Sequence, residues 1–300
     1  MKHAVSVSLG SPARDKRVEV MLNEERICIE RIGTGGDEKE AQRLFNELDG
    51  KVDALAVGGI DLYVRMDGRD YPIHSALKLV KDVHQTPVVD GRLLKYALES
   101  RVFELAKPMI GEAPHFQKVF MPSSVDRIGL TTAVSAVSDE VVIGDLMFIL
   151  DIPIPVRGLE QFKKIARILL PIVGYLPISM ILPPGSKEDT LEPKHQRFWR
   201  EADLIAGDMH YIRKYAPDDL DGKWVITNTT TPENIELLRK RGVNTVITTT
   251  PRYEGRSFGV NMMEGVLTAY AGLGRPLSES ELNGLIDELD LRPSVQRLNE

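Results

Sequence analysis

Lys118-Val119-Phe120-Met121-Pro122-Ser123-Ser124 opens the stretch that decides the fold. A short apolar run stops at a proline and two serines, and the pattern returns downstream as Val141-Val142-Ile143-Gly144-Asp145, Leu204-Ile205-Ala206-Gly207-Asp208, Trp224-Val225-Ile226-Thr227-Asn228 and Thr245-Val246-Ile247-Thr248-Thr249. Each run is rich in β-branched residues and bounded by turn residues, which predicts a strand. A further strand is expected at Ile178–Leu182. Helical patterns lie between them. The clearest is Leu159, Phe162, Ile165, Ala166, Leu169 and Leu170, an apolar stripe with Lys163, Lys164 and Arg167 on the other face. Strands that are apolar on both faces and alternate with helices are parallel and buried. Right-handed crossovers then make a doubly wound, Rossmann-like sheet the natural solution.

Working outward, the residues before Lys118 read as a mixed α/β domain. His3–Leu9, Val18–Leu22 and Ile27–Ile32 are strand patterns, Ala41, Leu44, Phe45 and Leu48 have helical spacing, and Val52–Val57 is a strand ending in Gly58-Gly59. Tyr63–Tyr71 predicts a hairpin turning at Asp67-Gly68. Helices are expected at Ser75–Val83 and Leu93–Leu105, with a strand at Pro87–Val89 between them. Two prolines and a glycine in Pro108–Pro114 place the boundary, giving an N-terminal domain over 1–112 and a parallel domain over 113–300. The chain closes on a helix over Ser278–Leu289, where Ser278 and Glu281 form a capping box.

Composition narrows the function classes. A net charge of -6 over 300 residues leaves no excess of Lys and Arg to neutralise phosphates, so a general nucleic-acid partner is not expected. Cys28 is the single cysteine, which excludes an intrachain disulfide and a thiolate metal cluster. The uncharged run Ile168–Ser186 is interrupted by four prolines and two glycines, so no membrane span is expected. No signal-peptide pattern precedes it, and a cytoplasmic protein is expected.

The residues that carry chemistry should lie beyond the carboxyl ends of the parallel strands. After the first strand, Ser123 and Ser124 can cap a helix whose free amides attract an anion. Asp145, about twenty residues on, stands where dinucleotide folds receive ribose hydroxyls. Asp208, Asn228 and Thr229 end later strands. Together Ser123, Ser124, Asp145, Asp208, Asn228 and Thr229 are the candidate cofactor residues. Thr230 and Thr249, followed by Arg252 and Arg256, combine hydroxyls with guanidinium forks and form a candidate anion site. Thr is also a good strand former, so β-propensity explains the threonines equally well. In the first domain, Asp61 and Asp90 follow strands and Lys95 follows on the next helix, a set suited to moving a proton. His195 and His210 lack ligand spacing, and no metal is assigned. The first turn has no G-x-G-x-x-G, and there is no P-loop and no G-x-S-x-G elbow. NAD or NADP is therefore expected to bind weakly or not at all.

Val5-Ser6-Val7-Ser8-Leu9-Gly10-Ser11, Gly58-Gly59-Ile60-Asp61-Leu62-Tyr63 and Pro87-Val88-Val89-Asp90-Gly91 resemble bacterial proteins labelled quinate 5-dehydrogenase. The likeness runs over most of the chain. It implies the quinate/shikimate dehydrogenase family, with a substrate domain, a nucleotide domain and a returning C-terminal helix. Asn228-Thr229-Thr230-Thr231-Pro232 is similar to a segment of that family's nucleotide domain. The family's glycine-rich loop and its N-terminal Pro-x-Lys motif have no counterpart here.

The leading expectation is thus a dehydrogenase-like protein that binds an anionic small molecule or nucleotide in the cleft between its domains. Two alternatives stand beside it. One is a phosphoryl-transfer enzyme with a ribonuclease-H-like or sugar-kinase N-terminal lobe, in which Ser8, Gly10 and Ser11 face phosphate. The other is a non-catalytic small-molecule-binding protein. A homo-oligomer is compatible with each of them.

Overall fold

The computed structural model describes residues 1–112, 114–181, 191–253, 256–257 and 259–299, and for residues 180–181, 252–253 and 256–257 it describes the backbone alone. They gather into two compact units: 1–97, 169–185 and 259–291 form the first, and 98–168, 186–258 and 292–300 the second. This division differs from the expected boundary after residue 112: the first break falls after residue 97, and the chain then returns twice to the first unit.

The first unit opens with strands β1 (Lys2–Ser8), β2 (Lys16–Leu22) and β3 (Glu25–Gly33) and helix α1 (Glu38–Leu48). Strand β4 (Ala54–Gly58), the hairpin β5 (Tyr63–Met66) and β6 (Arg69–Pro72), the single turn α2 (His74–Leu77), β7 (Val88–Val89) and the start of α3 (Arg92–Ser100) follow. The hairpin turns at Asp67 and Gly68, with φ of 56° and 74°, the type I′ geometry that Asp-Gly encodes. The sheet order is β2-β3-β1-β4-β7. β1 runs parallel to both β3 and β4, and β4 parallel to β7. Only β2 is antiparallel, paired with β3 at the edge. The three opening strands therefore do not form the antiparallel meander on which a ribonuclease-H-like lobe is built. Val5, Val7, Leu55 and Val57 pack with Phe45 of α1 in one buried cluster. Asp37 starts α1 by accepting the amides of Lys39 and Glu40.

The second unit is the doubly wound sheet. Helix α4 (Val102–Ile110) leads to β8 (Phe116–Met121), α5 (Ile128–Ser135), β9 (Ser138–Ile143), the short α6 (Asp145–Phe148), β10 (Val156–Arg157) and α7 (Leu159–Val173). After α8 (Ile178–Ile181) come α9 (Gln196–Glu201), β11 (Leu204–Ala206), α10 (Met209–Tyr215), β12 (Trp224–Thr227), α11 (Pro232–Lys240), β13 (Thr245–Thr248) and the small hairpin β14 (Arg252–Tyr253) and β15 (Arg256–Ser257). Helices α12 (Val260–Ala271) and α13 (Glu279–Glu288) belong to the first unit, and β16 (Ser294–Arg297) closes the second. The sheet order is β10-β9-β8-β11-β12-β13-β16. The five inner strands are parallel, and β10 and β16 flank them antiparallel. Strand order reverses between β8 and β11. Among the described residues no helix is long and apolar enough to cross a membrane.

Three expectations are corrected. Ile178–Ile181 is a helical turn, not a strand: it follows Pro177, and Ile178 is buried in the first unit's core. The helix expected over Ser75–Val83 is the single turn α2. The helix expected over Leu93–Leu105 is two, α3 and α4, broken at Arg101. The expected C-terminal helix forms as α13 with its Ser278–Glu281 capping box, but β16 follows it.

Trp199 anchors the second core. It is fully buried, its ring meets Phe120 edge-on at 4.9 Å, and its Nε1 donates to the Lys194 carbonyl at 3.0 Å. Trp199→Ala should therefore cost about 3–5 kcal/mol, read as a lowered urea midpoint, whereas Trp199→Phe should cost clearly less. Equal losses for the two would mean that the indole nitrogen, not the ring, holds the site.

Candidate functional site

In the first unit, parallel pairing brings the carboxyl ends of β1, β4 and β7 to one edge. Asp61 follows β4, Asp90 follows β7, and Lys95 lies in the first turns of α3. The structure brings two of these together. Lys95 Nζ donates to Asp61 Oδ2 at 2.8 Å, with the side chains 10% and 27% exposed. Asp90 has a different role. Its buried carboxylate accepts the amides of Leu62 (2.8 Å) and Tyr63 (3.3 Å) on Oδ2, and the amide (3.2 Å) and guanidinium (2.8 Å) of Arg92 on Oδ1. It thereby clamps the loop after Asp61 to the start of α3. Arg92 also bonds Asp70 at 3.1 Å and lies over the Tyr63 ring at 4.5 Å. Burial disfavours its charge, but Asp90 and Asp70 more than offset this and its pKa is raised.

Glu264 is the residue that sequence reasoning missed. It is 1% exposed on α12, and its Oε2 accepts the Leu94 amide at 3.1 Å, capping α3 one residue before Lys95. Burial above all, with Asp90 and Asp61 adding to it, pushes its carboxyl up to about 8. The available signal was a lone acid within Met262-Met263-Glu264-Gly265-Val266-Leu267. Next to it on the same helix, Asn261 donates to Ser6 Oγ of β1 at 3.0 Å.

In the second unit, the candidate cofactor residues gather at the carboxyl edge of the sheet. Asp145 accepts the amides of Ser124 at 2.9 Å and Val125 at 2.8 Å, one on each oxygen. Asp208 caps α10 through the His210 amide at 2.9 Å and accepts Asn228 Nδ2 and Arg127, both at 2.8 Å. Arg127 also bonds the buried Glu99. Burial raises the Asp208 carboxyl, but Arg127 and His210 outweigh it and its pKa is lowered. Burial pushes the Asp145 carboxyl up to about 7, its two amide bonds opposing the shift.

One pair of these hydroxyls is bonded together and another bonds a neighbouring amide side chain. Thr230 and Thr248 share a hydrogen bond at 3.1 Å, Thr231 forms a capping box with Asn234, and Ser123 and Thr249 are buried. Thr229 is half-buried. In the β14–β15 hairpin the backbone of Arg252 pairs with Ser257 and that of Arg256 with Tyr253, while the side chains of both arginines, and Glu254 and Gly255, lie outside the described residues. Among the described residues no group of three or more His, Cys, Asp or Glu is placed to hold a metal ion.

A nicotinamide dinucleotide lays its pyrophosphate on amides at the first turn of such a sheet, where glycines allow close approach. Here the turn has no glycine and its amides carry Asp145. The residues present do not fit that cofactor at this turn.

Residues 93–298 match the family described as a domain of unknown function (DUF8754), and residues 3–90 match one described as a domain of unknown function (DUF8753). No curated protein matches the chain. Solved structures with a similar fold include a putative malic enzyme (malate oxidoreductase), with a TM-score of 0.38 and 14% identity over 86% of this chain and 64% of that one. The NAD-dependent malic enzyme of Thermotoga maritima gives a TM-score of 0.37 and 14% identity over 90% and 71%. GanP, a glucose-galactose binding protein from Geobacillus stearothermophilus, gives 0.35 and 12% over 99% and 97%. The chain thus spans less than two thirds of the length of the first of these.

The buried Glu264 makes a prediction about pH. Its pKa is raised from 4.5 to about 8 on folding, so the stability it permits is fully present below the unfolded value and is lost as pH rises toward the folded one. The upper bound of that loss is on the order of 5 kcal/mol. Glu264→Gln keeps the acceptor for Leu94 and removes the titration. Its melting temperature relative to the wild type should rise between acidic and mildly alkaline pH. A difference that stays constant across that range would show that Glu264 ionises as an ordinary carboxylate.

Proposed function

We propose that this chain, which belongs to the family described as a domain of unknown function (DUF8754), binds a small hydroxylated anion and moves a proton on it at the Lys95–Asp61 pair. The observation that carries the reading is the 2.8 Å contact between a largely buried ammonium and a carboxylate that keeps a quarter of its surface open. Asp61 accepts the proton as a ligand O–H bond breaks, and Lys95 donates a hydrogen bond to the oxygen on which negative charge develops. Asp90, Arg92 and Glu264 hold the two elements that carry the pair. Glu264, kept protonated by burial and by the neighbouring Asp90 and Asp61, adds no negative charge to repel an anion.

The finer reading is a hydroxy acid of the quinate/shikimate type, as the sequence resemblance implies. No hydride step is assigned, because the turn after β8 does not fit a dinucleotide. That same closure favours a second reading, a small-molecule-binding protein without redox chemistry.

A thermal-shift panel of hydroxy acids, alone and with NAD or NADP, tests both readings. A ligand at about a hundred times its Kd stabilises the folded state by about 2.7 kcal/mol. The double variant K95M/D61N removes both charges together, which avoids stranding one buried partner. The expected result is a hydroxy-acid shift in the wild type that the double variant loses while its far-UV spectrum is unchanged. A ligand that stabilises the variant as strongly as the wild type places the site elsewhere.

A further inference from the structure

The turn after β8 stands at the point where strand order reverses, the place at which doubly wound sheets present backbone amides to a ligand phosphate. Register explains what fills it here. Met121 and Ile143 are Cα partners, and the Gly144 amide continues the ladder by donating to the Met121 carbonyl at 2.8 Å. The next residue, Asp145, is thereby carried beside Ser124 and Val125. Each of its oxygens takes one amide, at 2.9 and 2.8 Å, the two-point contact that an oxyanion makes with consecutive N–H groups. The neighbouring strand end comes close as well. Gly207 has φ of 154°, and a Cβ there would lie 3.2 Å from Pro122 Cδ, so the strand ends of β8 and β11 are in contact. Arg127 of the same turn is bonded across the reversal point to Asp208 at 2.8 Å.

We infer that Asp145 is a tethered anion that occupies the phosphate position of this turn, so that the doubly wound unit does not take up a dinucleotide or other pyrophosphate through it. The contact is internal to the second unit and does not rest on the Lys95–Asp61 reading. A ligand phosphate would have to displace a carboxylate that is already seated, 92% buried and held at no translational cost.

The charged and titratable groups around it make the contact sensitive to pH. Asp126 lies on the same turn, Tyr211 of α10 faces it, and Asp208 and Arg127 form the next pair along the edge. Burial, reinforced by Asp126, pushes the Asp145 carboxyl up to about 7 against the pull of the two amides. Ionised, it accepts two charge-assisted bonds; protonated as pH falls, it loses that charge and holds the amides more weakly.

Nitrogen-15 NMR of the full chain reads the contact directly. The Ser124 and Val125 amide resonances should follow one common titration with a midpoint near neutrality. That titration should vanish in Asp145→Asn, which keeps the side chain's size. Above the midpoint, millimolar inorganic pyrophosphate or NAD should leave both resonances of the wild type in place. A saturable shift of the two amides by either probe would show the turn open and overturn the inference, as would amides whose pH dependence survives in Asp145→Asn. The wild-type titration with pyrophosphate decides the matter even if the variant does not fold.

Discussion

Parallel pairing sets the terms for everything else in this chain. It aligns the carboxyl ends of β8, β9, β11, β12 and β13 along one edge of the second unit, and those of β1, β3, β4 and β7 along one edge of the first. Backbone groups that leave a ladder there still need partners, because an unsatisfied buried polar group costs about 1–3 kcal/mol. The second unit meets that demand from within. Asp145 answers the turn after β8, Asp208 caps α10 and joins Arg127 to Asn228, Thr231 caps α11, and Thr230 joins Thr248. Several of the polar residues that suggest a cofactor site at this edge, Asp145, Asp208, Asn228 and Thr230, are thus already bonded within it.

The first unit uses the same geometry differently. Asp90 and Glu264 are committed to the beginning of α3, where the first amides of a helix have no partner of their own. Glu264 reaches Leu94 from 170 residues away in sequence, so α12 is as much a part of this edge as the strands are. The buried carboxyls hold Lys95 in place, and Lys95 meets the more exposed Asp61. Burial of an ion pair is a weak source of stability.

Much of the architecture was legible because it follows from local pattern. The β5–β6 hairpin followed from Asp67-Gly68, the inner strands of the second sheet from their β-branched runs, and the start of α13 from Ser278 and Glu281. What stayed hidden depended on partners distant in sequence. β16 is polar and pairs with β13 from the edge, so Ser294–Arg297 shows no apolar alternation. Ile178–Ile181 is an apolar run short enough to suit either a strand or a helical turn. The return of 169–185 and 259–291 to the first unit leaves no local mark at all. Asp145 was placed correctly at a strand end, but its partners are amides, which a sequence does not display.

The same distinction separates scaffold from chemistry among carboxylates that look alike in sequence. Asp90 was a proton-handling candidate on equal terms with Asp61. Its side chain is fully buried and both oxygens are committed, one to two amides and the other to Arg92. To accept a proton it would surrender an ion pair and leave Arg92 with Asp70 alone against the cost of burial. Asp208 is bound in the same way by His210, Asn228 and Arg127. A carboxylate can exchange protons with a ligand only where protonation does not dismantle its own support. Exposure does not separate Asp61 from Asp208, whose side chains are 27% and 28% exposed; the difference lies in the partners, since Asp208 is bound by His210, Asn228 and Arg127, whereas Asp61 meets Lys95, whose flexible ammonium can turn toward an incoming oxygen.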